Sequence, residues 1–85
     1  MRHARPADLA PLEPTLAQLR SFDALVERKP GTFYKKSSAF LHFHVDGSDF
    51  YADVKLNGVE FERVRATTRA EQRALVGAVR RSLAG

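Results

Sequence analysis

Cysteine is absent from the 85 residues, which removes disulfides, thiolate chemistry and cysteine-ligated zinc together and fits a reducing compartment. Long apolar runs are also missing. The longest are a few residues, far short of the roughly 20 needed to cross a bilayer, and the N-terminus has no hydrophobic segment of the kind a secretion signal requires. The cytoplasm is therefore the expected location, with no membrane partner. The five glycines are dispersed at turns, in the last helical segment and at the C-terminus, so no glycine-rich loop can cradle a phosphate. No nucleophile motif or oxyanion-hole signature accompanies the histidines. There is no internal repeat and no low-complexity segment. These absences point to a non-enzymatic binding or protein-interaction module, and a chain this short gains from homodimerisation.

What is present is enough for one core and no more. Fourteen Lys and Arg against ten Asp and Glu give a net charge of +4, which favours polyanionic partners. Residues 1–13 carry Pro6 and Pro11, with Pro14 adjacent, and little apolar period. They read as a mobile leader ahead of a single α+β domain over 14–85. From Pro14, apolar Leu16, Leu19, Phe22, Leu25 and Val26 recur at helical spacing until Lys29-Pro30-Gly31, which predicts a helix over about 14–28. The period then becomes two. Leu41, Phe43 and Val45 alternate with Phe40, His42 and His44, and Ala52, Val54 and Leu56 with Tyr51, Asp53 and Lys55, so two half-buried strands are expected.

Asn57-Gly58 suits a two-residue type I′ hairpin and leads to a third strand over about 59–65, with Val59 and Phe61 on the core face. Arg63 falls where a third apolar residue is due, and a bulge near Glu62 or a strand that outruns the core would explain it. Thr32-Phe33-Tyr34 is a candidate extra strand. Thr68-Arg69-Ala70-Glu71 has capping-box spacing and opens a helix over about 69–83. The expected fold is an antiparallel meander of three or four strands with N- and C-terminal helices packed on one face, in α-β-β-β-α order.

Candidate function then lies on the open sheet face or beside it. Phe40, His42, His44, Tyr51, Asp53, Lys55, Glu60, Glu62 and Val64 project there if the alternation holds. A Gly47-Ser48 loop sets His42 opposite Asp53, whereas an Asp46-Gly47 loop sets His44 opposite Asp49. The Asn57-Gly58 turn sets Glu62 opposite Asp53. His42 and His44, completed by Asp53 or Glu62, form a candidate metal site, because alternate strand residues present two imidazoles on one side. Phe40, His42, His44, Tyr51, Asp53 and Val64 form a candidate interaction face for a protein partner or a second copy. Lys35 and Lys36 beside Phe33 and Tyr34, with Arg69, Arg73 and Arg80 on the last helix, form a candidate nucleic-acid surface.

The runs Gly31-Thr32-Phe33-Tyr34, Phe40-Leu41-His42-Phe43-His44, Ala52-Asp53-Val54-Lys55-Leu56 and Phe61-Glu62-Arg63 resemble a family of small bacterial proteins without assigned activity, over about residues 14–83. That resemblance implies no function. The strand pattern is also similar to small bacterial domains proposed to bind DNA, such as the competence-regulator N-terminal domain. The helix-sheet-helix order resembles the double-stranded RNA-binding fold, without that family's basic helix signature.

Overall fold

A computed structural model describes all 85 residues. The capping box forms as its spacing requires. Thr68 Oγ1 accepts from the Glu71 amide at 3.1 Å, and Glu71 Oε1 accepts from the Thr68 amide at 2.9 Å. These bonds satisfy free amides of the first turn of α2, Arg69–Ala84. Leu75, Val76 and Val79 give that helix its buried stripe.

The fold is α+β, with an antiparallel sheet and helices from both ends of the chain. Its strands are β1 (Arg2–His3), β2 (Leu25–Lys29), β3 (Thr32–Lys35), β4 (Ser38–Asp46), β5 (Asp49–Val54) and β6 (Glu62–Arg65). They lie in the order β2-β3-β4-β5-β6, and β1 pairs with β4 off this path. A 3-10 helix, Pro6–Leu12, and α1, Glu13–Arg20, precede β2. Leu9, Leu12, Leu16 and Leu19 from these turns and Leu75, Val76 and Val79 from α2 share one core with Phe33, Phe40, Leu41, Phe43, Ala52 and Val54 of the sheet. No helix is long and apolar enough to cross a membrane.

Four expectations change. Residues 1–13, expected as a leader outside the fold, supply β1 and two core leucines, Leu9 and Leu12. Helix α1 stops at Arg20, because Ser21 turns its hydroxyl back to the Gln18 carbonyl at 2.6 Å. Leu25 and Val26 belong to β2 instead, since Pro30-Gly31, with Gly31 at φ 76°, turns the chain in the pattern of a type II turn. Arg20 ties the two segments together by pairing with Glu13 and Glu27. The candidate strand at Thr32–Tyr34 is present, as part of β3.

The other two changes govern the site. In β4 the pairing shifts between Phe33↔Leu41 and Tyr34↔Ala39. Phe40 is the additional residue of that bulge, and it turns into the core beside Leu41 with 3% exposure, away from the open face. In β6 the expected two-residue Asn57-Gly58 hairpin does not form. Asn57 Oδ1 accepts from the Val59 and Glu60 amides at 2.8 and 2.9 Å, which closes a wider loop and moves the register by one residue. Ala52 then pairs with Val64, Asp53 with Arg63 and Val54 with Glu62. A one-residue slip exchanges the two faces of a strand. Val64 therefore packs against the core, while Val59 and Phe61, expected in the core, are exposed.

Candidate metal centre

Strand β4 places His42 and His44 on the face opposite the helices. Its partner β5 follows the Gly47-Ser48 register, with His42↔Asp53 and His44↔Tyr51. Gly47, at φ 63°, takes the turn conformation that this loop needs. The shifted β6 brings Arg63 across from Asp53, where Nε and a terminal nitrogen donate to the two carboxylate oxygens at 2.8 and 2.9 Å. The like-charge pair expected from Glu62 is thus replaced by a bidentate ion pair, and Glu62 lies away from the histidines opposite Val54.

The third histidine comes from the segment read as a leader. Pro6 biases Arg5 to an extended backbone, which it adopts at φ −89°, ψ 163°. The preceding residues pair along β4, with His3 opposite His44 and the Ala4 amide donating to the Phe43 carbonyl at 3.0 Å. Asp8 holds this strand from below by accepting from the Arg2 guanidinium at 2.6 and 3.1 Å and from the Arg5 amide at 2.9 Å. As a result His3 stacks on the pair already in the sheet. Its ring centroid lies 4.5 Å from His44 and 5.3 Å from His42, and those two are 4.8 Å apart.

One ligand atom from each of His3, His42 and His44 falls within 4.8 Å of the others. Burial grades across the cluster, from exposed His3 through half-buried His42 to buried His44. Asp53 Oδ2 lies 2.9 Å from His44 Nε2 and 3.4 Å from His42 Nε2. The first approach is not aligned as a hydrogen bond, so His44 Nε2 is buried without a hydrogen bond, with the Asp53 carboxylate beside it. Such a group is costly unless something satisfies it. Burial, reinforced by His44 and His3 against the opposing pull of Asp53, lowers the His42 pKa below the ordinary imidazole value. The Arg63 pair holds the Asp53 carboxyl below its usual range. The cluster therefore favours a neutral His42 imidazole beside an ionised carboxylate, the protonation states in which these groups bind metal.

Phe61 closes one side, with its ring 5.1 Å from that of His42 in an edge arrangement. Tyr51 stands opposite His44 and Arg65. The candidate interaction face thus keeps His42, His44, Tyr51 and Asp53, while Phe40 and Val64 go to the core. The candidate nucleic-acid residues divide into two groups. Lys35 and Lys36 flank the β3–β4 turn beside Lys55, and Arg69 and Arg73 line a separate hollow with Gln18. Arg80 lies over the Phe22 ring at 5.5 Å.

Sequence reasoning found His42, His44 and Asp53 but missed His3 and Arg63. The one local signal for His3 was the extended bias before Pro6. For Arg63 it was the charged residue at a position expected to be apolar. No protein-family model, no curated protein and no solved structure matches the chain, so the reading of this centre stands on its geometry.

Proposed function

We propose that this protein is a binding module for a divalent transition-metal ion of the zinc class, with His3, His42 and His44 as the protein ligands. One observation carries the reading: three imidazoles from two paired strands converge to within 4.8 Å, and the innermost offers a buried nitrogen that makes no hydrogen bond. Zinc takes imidazole nitrogen at about 2.0–2.1 Å, so small side-chain rotations would bring the three donors onto one ion. Asp53 Oδ2 lies 2.9 and 3.4 Å from the Nε2 atoms of His44 and His42, so the carboxylate would supply negative charge beside the ion, and Arg63 in turn fixes Asp53. Three protein ligands leave a fourth coordination position for water or an added ligand. With Phe40 and Val64 in the core, metal binding has more support on this face than docking of a large partner.

The test is calorimetric titration of tag-free protein with zinc. Wild type should bind one ion per chain. His3→Ala, at an exposed position that leaves the core untouched, should weaken binding by an order of magnitude or more, roughly the loss of one ligand. Equal zinc affinity in His3→Ala and wild type would refute the assignment.

A further inference from the structure

A cleft of about 760 Å³ opens beside the histidines, between the chain leaving β1 and the β2–β3 hairpin. Its size falls in the range of small-molecule sites. Arg2, Arg5 and Lys29 line it, and no carboxylate does. Arg2 is held by Asp8, whereas Arg5 and Lys29 form no ion pair and are free to engage a ligand. The hydroxyl-bearing residues Thr32 and Tyr34 line the same space. His3 and His42 belong both to this lining and to the metal cluster. Whatever fills the cleft therefore reaches the edge of the metal centre.

We infer that the cleft binds a small phosphate-bearing molecule, with its phosphate between Arg5 and Lys29 and its remainder directed toward His3 and His42. Two cations outside any ion pair, in a lining that holds no carboxylate, attract a multiply charged oxyanion. The volume exceeds what inorganic phosphate fills and suits a sugar phosphate. The inference rests on the metal reading only for what the far end of the ligand meets. There, an oxygen of the ligand can take the ion's fourth position, which couples the two binding events reciprocally.

Calorimetry with ribose 5-phosphate, and with ribose as the uncharged control, tests this on zinc-free and zinc-loaded protein. Ribose 5-phosphate should bind and ribose should not. Arg5→Glu and Lys29→Glu, both at exposed positions, should each weaken the phosphate ester by about ten- to hundredfold, the loss of a charge-assisted contact, while zinc affinity is retained. Zinc should tighten the ester. Failure of the ester to bind either form, or unchanged affinity in both variants, overturns the inference even if zinc binds. Ester binding that depends on Arg5 in a protein that takes up no zinc supports the cleft and refutes the metal reading instead.

Discussion

Phe40→Ala distinguishes the bulged strand from the regular one. With unbroken alternation Phe40 would project from the open face, and its truncation would cost about 0.5 kcal/mol or less, as for other surface changes. In the structure the bulge turns it inward, where it is 3% exposed among Leu41, Phe33 and the helix residues of the core. Removal of a buried phenyl ring costs about 3–5 kcal/mol through lost transfer energy and the cavity left behind. An 85-residue domain at about 0.05–0.15 kcal/mol per residue has roughly 4–13 kcal/mol in total, so this one ring is a large share. In urea, a slope of about 1–1.5 kcal/mol/M converts the loss into a midpoint shift of about 2–5 M. Phe61→Ala is the internal control. Phe61 is 41% exposed and its truncation should cost about 1 kcal/mol or less. If Phe40→Ala leaves too little folded protein to measure, Phe40→Leu keeps most of the volume and should still cost about 1–2 kcal/mol. The reasoning fails if Phe40→Ala and Phe61→Ala are equally mild, or if their order is reversed.

Three further outcomes are expected. Thr15 Oγ1 donates to Gln72 Oε1 at 2.8 Å, and Gln72 Nε2 donates to the Ala66 and Thr67 carbonyls at 3.2 Å, all in the seam between α1 and α2. Thr15→Val and Gln72→Leu should each lose about 1–3 kcal/mol by leaving buried groups unpaired, and the double variant should lose less than the sum in chemical denaturation. The Glu71 carboxyl, bonded to the Thr68 amide and paired with Arg65, has its pKa lowered to about 2. Its contribution is complete above the unfolded carboxylate pKa, near 4.5, and fades as pH falls toward 2, because the unfolded chain takes up the proton first. Glu71→Gln should flatten the acid limb of a thermal-melt series over that window. Gly31, at φ 76°, would carry a Cβ 3.2 Å from both Leu9 methyls, whereas Gly47, at φ 63°, has open space around it. Both alanine variants should lose about 1–2 kcal/mol to backbone strain, with Gly31→Ala the more destabilising on urea denaturation because Leu9 must also give way.

Much of the site was legible because it rested on local rules. The alternation around Leu41 and Phe43 set His42 and His44 on one side, the Gly47-Ser48 turn was one of two registers open to the hairpin, and Thr68 and Glu71 marked the start of α2. Phe40 was misplaced because a bulge is a property of the pairing between β3 and β4 and leaves no mark in one strand's own period. Val59, Phe61 and Val64 were misplaced because Asn57 bonded to Val59 and Glu60 instead of making a tight turn, and one residue of register exchanged their faces. Arg63, the exception to the expected core pattern, is the partner that holds Asp53.

Composition, the absence of cysteine, the helix caps and the strand periods determined by themselves an α+β chain with two histidines beside a carboxylate. Only tertiary structure could bring His3 to them. It is 39 positions from His42, in a segment with no apolar period, and it arrives because Leu9 and Leu12 anchor in the core while Arg2 and His3 pair along a stretch of β4 that β3 does not reach. Nearest-neighbour patterns encode which way a side chain faces. Which distant strand supplies the third ligand is decided by the burial of two leucines and the backbone hydrogen bonds left open where β4 outruns β3.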